Sequence, residues 1–151
     1  MWPMTHFSIT VEIQAPPERV WAVMTDVERW HEWTSSITSI ERLGHGPLAV
    51  GTWVLICQPK ALPAKWLVTE LDGGNSFTWV TRRPGVCVAA RHSVEPTAGG
   101  SKATLLLEFS GFLGPLLARL LRGMSERYLA LEAKGLKARS EASAPPPKAQ
   151  S

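Results

Sequence analysis

Few side chains in this 151-residue chain are placed to do chemistry. His92 lies in an alternating run where Val88, Ala90, His92 and Val94 share one face, and Ala90 and Val94 mark that face as internal. A neutral imidazole there could orient a ligand carbonyl or move a proton. The alternative is a half-buried histidine bonded to backbone or water. Arg82 and Arg83 end the preceding strand, before Pro84-Gly85. Either could clamp an anionic group at a pocket mouth, or simply solvate a strand end. Tyr128, the single tyrosine, stands with Met124 on an apolar helical stripe, where its hydroxyl needs a partner in a cavity or at the surface.

The seven Trp residues are the other unusual feature. Trp53, Trp66 and Trp79 fall in three successive strands, and Trp30 and Trp33 sit at i, i+3 on a short helix. Flat rings with one N–H donor suit a pocket that stacks an aromatic ligand, and they equally suit core filling. The candidate ligand contacts are therefore Trp33, Trp53, Trp66, Trp79, Arg82, His92, Met124 and Tyr128, with His92 the candidate acid/base group. No two carboxylates have a spacing that pairs them, no serine stands in Gly-x-Ser-x-Gly, and no glycine-rich loop leads a strand into a helix. Cys57 and Cys87 have no zinc-type spacing with histidine and read as reduced, buried thiols. No metal and no cofactor is expected.

Charge narrows the partner class. Residues 1–111 carry nine Lys/Arg against ten Asp/Glu, and residues 112–151 carry seven against three, so the basic excess belongs to the C-terminal segment alone. A nucleic-acid binder would concentrate it on the domain body, and that class is set aside. No run approaches the roughly 18 apolar residues of a membrane span. The N-terminus lacks the basic and long apolar regions of a signal peptide. The expectation is a cytoplasmic protein, monomer or homodimer, with at most peripheral membrane contact.

The positioning elements follow from periodicity. Residues 7–14 alternate as a strand, Pro16-Pro17 stops it, and Pro17 suits the first turn of a helix over 18–25. Asp26 can cap a second short helix over 27–33. Six strands then follow, over 37–43, 52–58, 65–71, 76–81, 86–95 and 102–110, separated by Gly, Pro and Asn turns. From Phe112 the period becomes 3.6. Leu113, Leu116, Leu117, Leu120, Leu121, Met124, Tyr128 and Leu131 form one stripe, with Arg119, Arg122 and Glu132 among the polar residues placed off it. This predicts one helix of some seven turns ending near Ser140. Residues 141–151, with Pro145-Pro146-Pro147, read as a disordered tail beyond a domain over 1–140. The helix is the one element long enough to cover the sheet's apolar face, so the fold is α+β: a curved seven-stranded antiparallel sheet around a long C-terminal helix, with two short helices after strand 1.

Ala15-Pro16-Pro17-Glu18-Arg19-Val20-Trp21, then Thr25-Asp26-Val27-Glu28-Arg29-Trp30 and Trp33, resembles the opening of the START-like (SRPBCC) superfamily, most closely its bacterial polyketide cyclase/dehydrase-like branch. Val50-Gly51-Thr52, Arg91-His92-Ser93-Val94-Glu95-Pro96 and Phe109-Ser110-Gly111 continue the resemblance, which covers about residues 5–140. It implies a helix-grip fold and assigns Trp21 and Trp30 to the scaffold. It does not choose a function. The leading reading is a module that holds a hydrophobic or aromatic small molecule between sheet and helix. The alternatives are a cyclase/dehydratase-type enzyme using His92, and a lipid or quinone carrier.

Overall fold

The computed structural model describes residues 5–142. Seven strands, β1 (Thr5–Ile13), β2 (Ser39–Leu43), β3 (Trp53–Cys57), β4 (Ala64–Asp72), β5 (Ser76–Arg83), β6 (Val86–Thr97) and β7 (Gly100–Ser110), form one antiparallel sheet. Its order is β1-β7-β6-β5-β4-β3-β2, a meander closed by the first strand pairing with the last. A register shift between Val68 and Glu70 adds local twist where β4 meets β5. Tight turns join the long strands, and Gly74 and Gly85 supply their positive φ (83° each).

After β1 come α1 (Pro17–Thr25) and a 3₁₀ helix over Val27–Glu32. Pro17 occupies the first turn of α1, as read from the sequence. The second short element departs from the expected capped α-helix. Asp26 makes no side-chain capping bond, and its carboxylate pairs with Arg29 at 3.4 Å instead.

The C-terminal helix also differs from the single rod that the leucine stripe predicts. It is two helices, α2 (Gly114–Leu120) and α3 (Arg122–Ala142), broken at Leu121, whose φ and ψ are −101° and 15°. Two of the eight stripe residues, Leu116 and Leu120, are exposed, while Leu113, Leu117 and Leu121 pack inward. α3 buries Ser125, Leu129, Ala133, Gly135, Leu136 and Ser140 against α1, β1 and β7. It runs to Ala142, past the boundary expected at 140, and residues 143–151 of the expected tail lie outside the described residues. Gly135 carries this grip, because a Cβ there would come within 1.9 Å of the Trp33 carbonyl oxygen. The two cysteines are free and half-buried, less enclosed than expected. No helix among the described residues is long and apolar enough to cross a membrane.

Candidate functional site

Strand register decides which rings face inward. Val54 pairs with Trp66 and Val68 with Trp79, and these four share the concave face. On the next strand His92 pairs with Phe77 on one side and Leu105 on the other, again on that face. Between this face, the 3₁₀ helix, α2 and α3 lies a cavity of about 270 Å³. Its wall includes Trp30, Trp66, Trp79, Met124, Tyr128 and the aliphatic ends of β6 and β7. The volume lies just below the usual range for ligand pockets, roughly 300–1,000 Å³.

His92 is 4% exposed and sits inside an aromatic cage. Phe77 stacks on it at 4.5 Å and 17°, while Trp30 and Trp79 meet it edge-on at 5.1 and 5.3 Å. Burial among these rings depresses its pKa to about 3, against the opposing hydrogen bond with the Phe77 backbone, so the imidazole is neutral at ordinary pH. Its Nδ1 is fully enclosed and has no hydrogen-bond partner, and the same holds for the indole Nε1 of Trp66. Both residues line the cavity. Buried polar atoms in folded proteins are nearly always paired, so two unpaired ones on residues of the same cavity are exceptional.

Glu132 is the residue the sequence reading missed. Its charge sets it with the polar residues off the stripe, yet it follows Met124 and Tyr128 at successive intervals of four and lines the same cavity. That interval was the signal. Its Oε2 accepts a hydrogen bond from Ser36 Oγ at 3.2 Å, and Ser36 is held by Thr34 at 2.8 Å. Desolvation raises the carboxyl's pKa to about 7, against the Ser36 bond that lowers it. The cavity thus has two titratable groups driven in opposite directions: a histidine kept neutral and a carboxyl poised near neutrality. Tyr128, on the same helix face, donates its hydroxyl to the Pro59 carbonyl and so ties the β3–β4 loop over one side of the cavity.

The family described as "Polyketide cyclase / dehydrase and lipid transport" matches residues 4–141. The chain belongs to this family. Norcoclaurine synthase from Thalictrum flavum, solved with dopamine and hydroxybenzaldehyde, is similar in structure: TM-score 0.73, 15% identity, 95% of this chain and 90% of that one. So is the Zhui aromatase/cyclase from Streptomyces sp. R1128, with TM-score 0.73, 16% identity, and 95% and 98% covered. The di-domain aromatase/cyclase StfQ of the steffimycin pathway aligns at TM-score 0.73 and 11% identity over 93% of this chain and 52% of its own, about half its length. At these identities the likeness is one of fold. No curated protein matches the chain.

In this member of the polyketide cyclase/dehydrase family, the remaining candidates lie outside the cavity wall. Trp33 packs on Trp30 at 5.2 Å but turns into a separate surface groove between α1 and α3, with Arg19 and Arg139. Trp53 is 44% exposed because it pairs with Leu67, one residue out of phase with the Val54–Trp66 row, and so stands on the convex face. Arg82 lies on that face beside Trp53 and Lys65. The adjacent Arg83 reaches the cavity rim instead and donates to the Pro63 carbonyl at 2.9 Å. Among the described residues no group of three or more His, Cys, Asp or Glu is arranged to hold a metal ion.

Proposed function

We propose that this protein binds a small hydrophobic or aromatic molecule, of one or two rings, in the cavity between the sheet and the C-terminal helices. The observation that carries the reading is the unpaired pair, Trp66 Nε1–H and His92 Nδ1, set in a mainly aromatic and aliphatic wall. Apolar burial would supply affinity, and an indole N–H without a protein acceptor favours a ligand that carries an oxygen. Titration of the protein's tryptophan fluorescence with 2-naphthol and with naphthalene tests this. The expected result is quenching by both, with 2-naphthol the tighter, and Trp66→Phe removing that preference, a loss of roughly two- to tenfold. Saturation by neither compound, in folded protein, would overturn the reading.

A second reading is favoured by one specific observation, the carboxyl of Glu132 facing the same cavity as a neutral imidazole. A β-hydroxy carbonyl ligand held there could lose water: Glu132, in its carboxylate form, takes the proton from the carbon next to the carbonyl, while the neutral His92 imidazole hydrogen-bonds the ligand. The electron pair of that C–H bond forms the new double bond, and the hydroxyl leaves as water with the proton returned from Glu132. This is cyclase/dehydratase-type chemistry. Glu132→Gln should then abolish turnover and leave binding intact, while a variant that still turns over would leave the binding reading alone. A carrier of lipid or quinone would use the same cavity without either proton step.

A further inference from the structure

Three segments meet at one end of the molecule. The β3–β4 loop is joined to the end of β5 by the Arg83–Pro63 hydrogen bond, and the β5–β6 turn is joined to the start of α2 by Leu113 N–H donating to Gly85 O at 2.8 Å. Leu62, Leu117 and Leu121 from these segments border the cavity. This end carries large apolar side chains in water: Leu62 is 74% exposed, Leu116 52% and Leu120 68%. Leu116 and Leu120 stand at i, i+4 on α2, so they form one ridge. That ridge faces outward on α2 while Leu113 and Leu117 pack inward.

The segments that form this apolar end carry one sign of charge, and Glu108, paired with Ala89 near the end of β7, is an acid on the sheet beside them. Residues 58–69, 79–88 and 112–125 contain no Asp or Glu, and they hold Lys60, Lys65, Arg82, Arg83, Arg119 and Arg122. The nearest acid along α3, Glu126, is exposed and pairs with Arg122 at 3.6 Å. The rest of the body shows no such segregation: residues 5–57 and 89–111 carry Arg19, Arg29, Arg42, Arg91 and Lys102 against eight acidic residues. An exposed leucine ridge collared by cations is complementary to an anionic lipid surface, with leucines entering the headgroup boundary and Lys/Arg meeting phosphate and carboxylate. We propose that this end docks on anionic membrane, with the cavity mouth facing the bilayer. The inference does not depend on what the cavity holds.

Flotation of the full chain with vesicles tests it, comparing phosphatidylcholine alone with phosphatidylcholine containing phosphatidylserine. Binding is expected only with phosphatidylserine and should weaken as salt is raised. Arg119→Gln with Arg122→Gln, which removes two charges, should weaken it roughly thirtyfold, and Arg119→Glu with Arg122→Glu, which reverses them, should weaken it further. Leu116→Ser with Leu120→Ser should weaken it while keeping the salt dependence. Lys102→Glu makes the same kind of charge change at the opposite end of the sheet and should leave binding unchanged. Equal binding to both vesicles, no binding to either, or an equal loss with Lys102→Glu would overturn the proposal. So would a dimer in solution that Leu116→Ser with Leu120→Ser dissociates while vesicle binding is unaffected, since a second copy would then cover the ridge. All these outcomes are read without a cavity ligand and leave the cavity reading to the fluorescence titration.

Discussion

At the end where β1 finishes, α1 begins and α3 terminates, Ile13, Val20, Met24 and Leu136 are at most 1% exposed. Ser101 there donates to the Ala15 carbonyl at 2.6 Å. At the other end, where α2, the β3–β4 loop and the β5–β6 turn meet, leucines stand 52–74% in water. One sheet and one run of helix build both ends. The difference teaches where the fold is gripped and where it is left to open: α1 and α3 pack on each other and on the sheet at the closed end, whereas short elements lean on a cavity at the open one. Local stability follows packing of this kind, so the open end is the part expected to fluctuate first.

Gly135→Ala attacks the closed end directly. The new methyl would meet the Trp33 carbonyl, which is backbone and cannot swing away, so unfolding free energy should fall by about 4 kcal/mol or more, read by denaturant titration. Next in size, Leu136→Ala should cost about 3 kcal/mol, whereas the same substitution at the exposed Leu120 should stay within about 0.5 kcal/mol. Equal costs would erase the contrast between the ends.

The cavity's titratable pair sharpens the comparison through pH. Folded His92 takes its proton only near pH 3, while an unfolded histidine does so near 6.5. Between those values the unfolded chain holds the extra proton, so stability drops as the solution is acidified through that window. Glu132 works the other way. Its folded carboxyl titrates near 7 and its unfolded one near 4.5, so its contribution is complete below 4.5 and is lost as pH rises toward 7. Below pH 4.5 the His92 effect is therefore unopposed. His92→Leu should flatten the acid limb of stability against pH by about 2 kcal/mol between pH 3 and 4.5. An unchanged limb would mean that His92 is not desolvated. A small effect of the opposite sign is expected at Gly123, near the start of α3, where a Cβ meets nothing within 4 Å. Gly123→Ala should stabilise by about 0.5–1 kcal/mol, seen as a rise in Tm, the opposite sign to Gly135→Ala in the same helix.

Much of this molecule was legible in one dimension. Alternation placed all seven strands within a few residues, Pro17 marked the start of α1, and the face shared by Ala90, His92 and Val94 was internal as read. These follow from local rules: a period of two, a fixed proline φ, and turn residues that tolerate positive φ. The leucine stripe misled because periodicity records which residues are apolar and not whether the helix axis stays straight. The stripe is wider than the face that α2 buries, so Leu116 and Leu120 reach the surface within the pattern that announced them.

What tertiary structure alone decided is the composition of the cavity. Register between strands set Trp66 and Trp79 inward and Trp53 outward, a choice that one residue of phase reverses and that no single strand contains. The angle of α3 across the sheet brought Glu132 over the same space as His92. Fold class is determined by the sequence itself, because each element's periodicity is encoded within that element. Which side chains share a pocket depends on how separate elements are registered and crossed, and that is settled only when they pack.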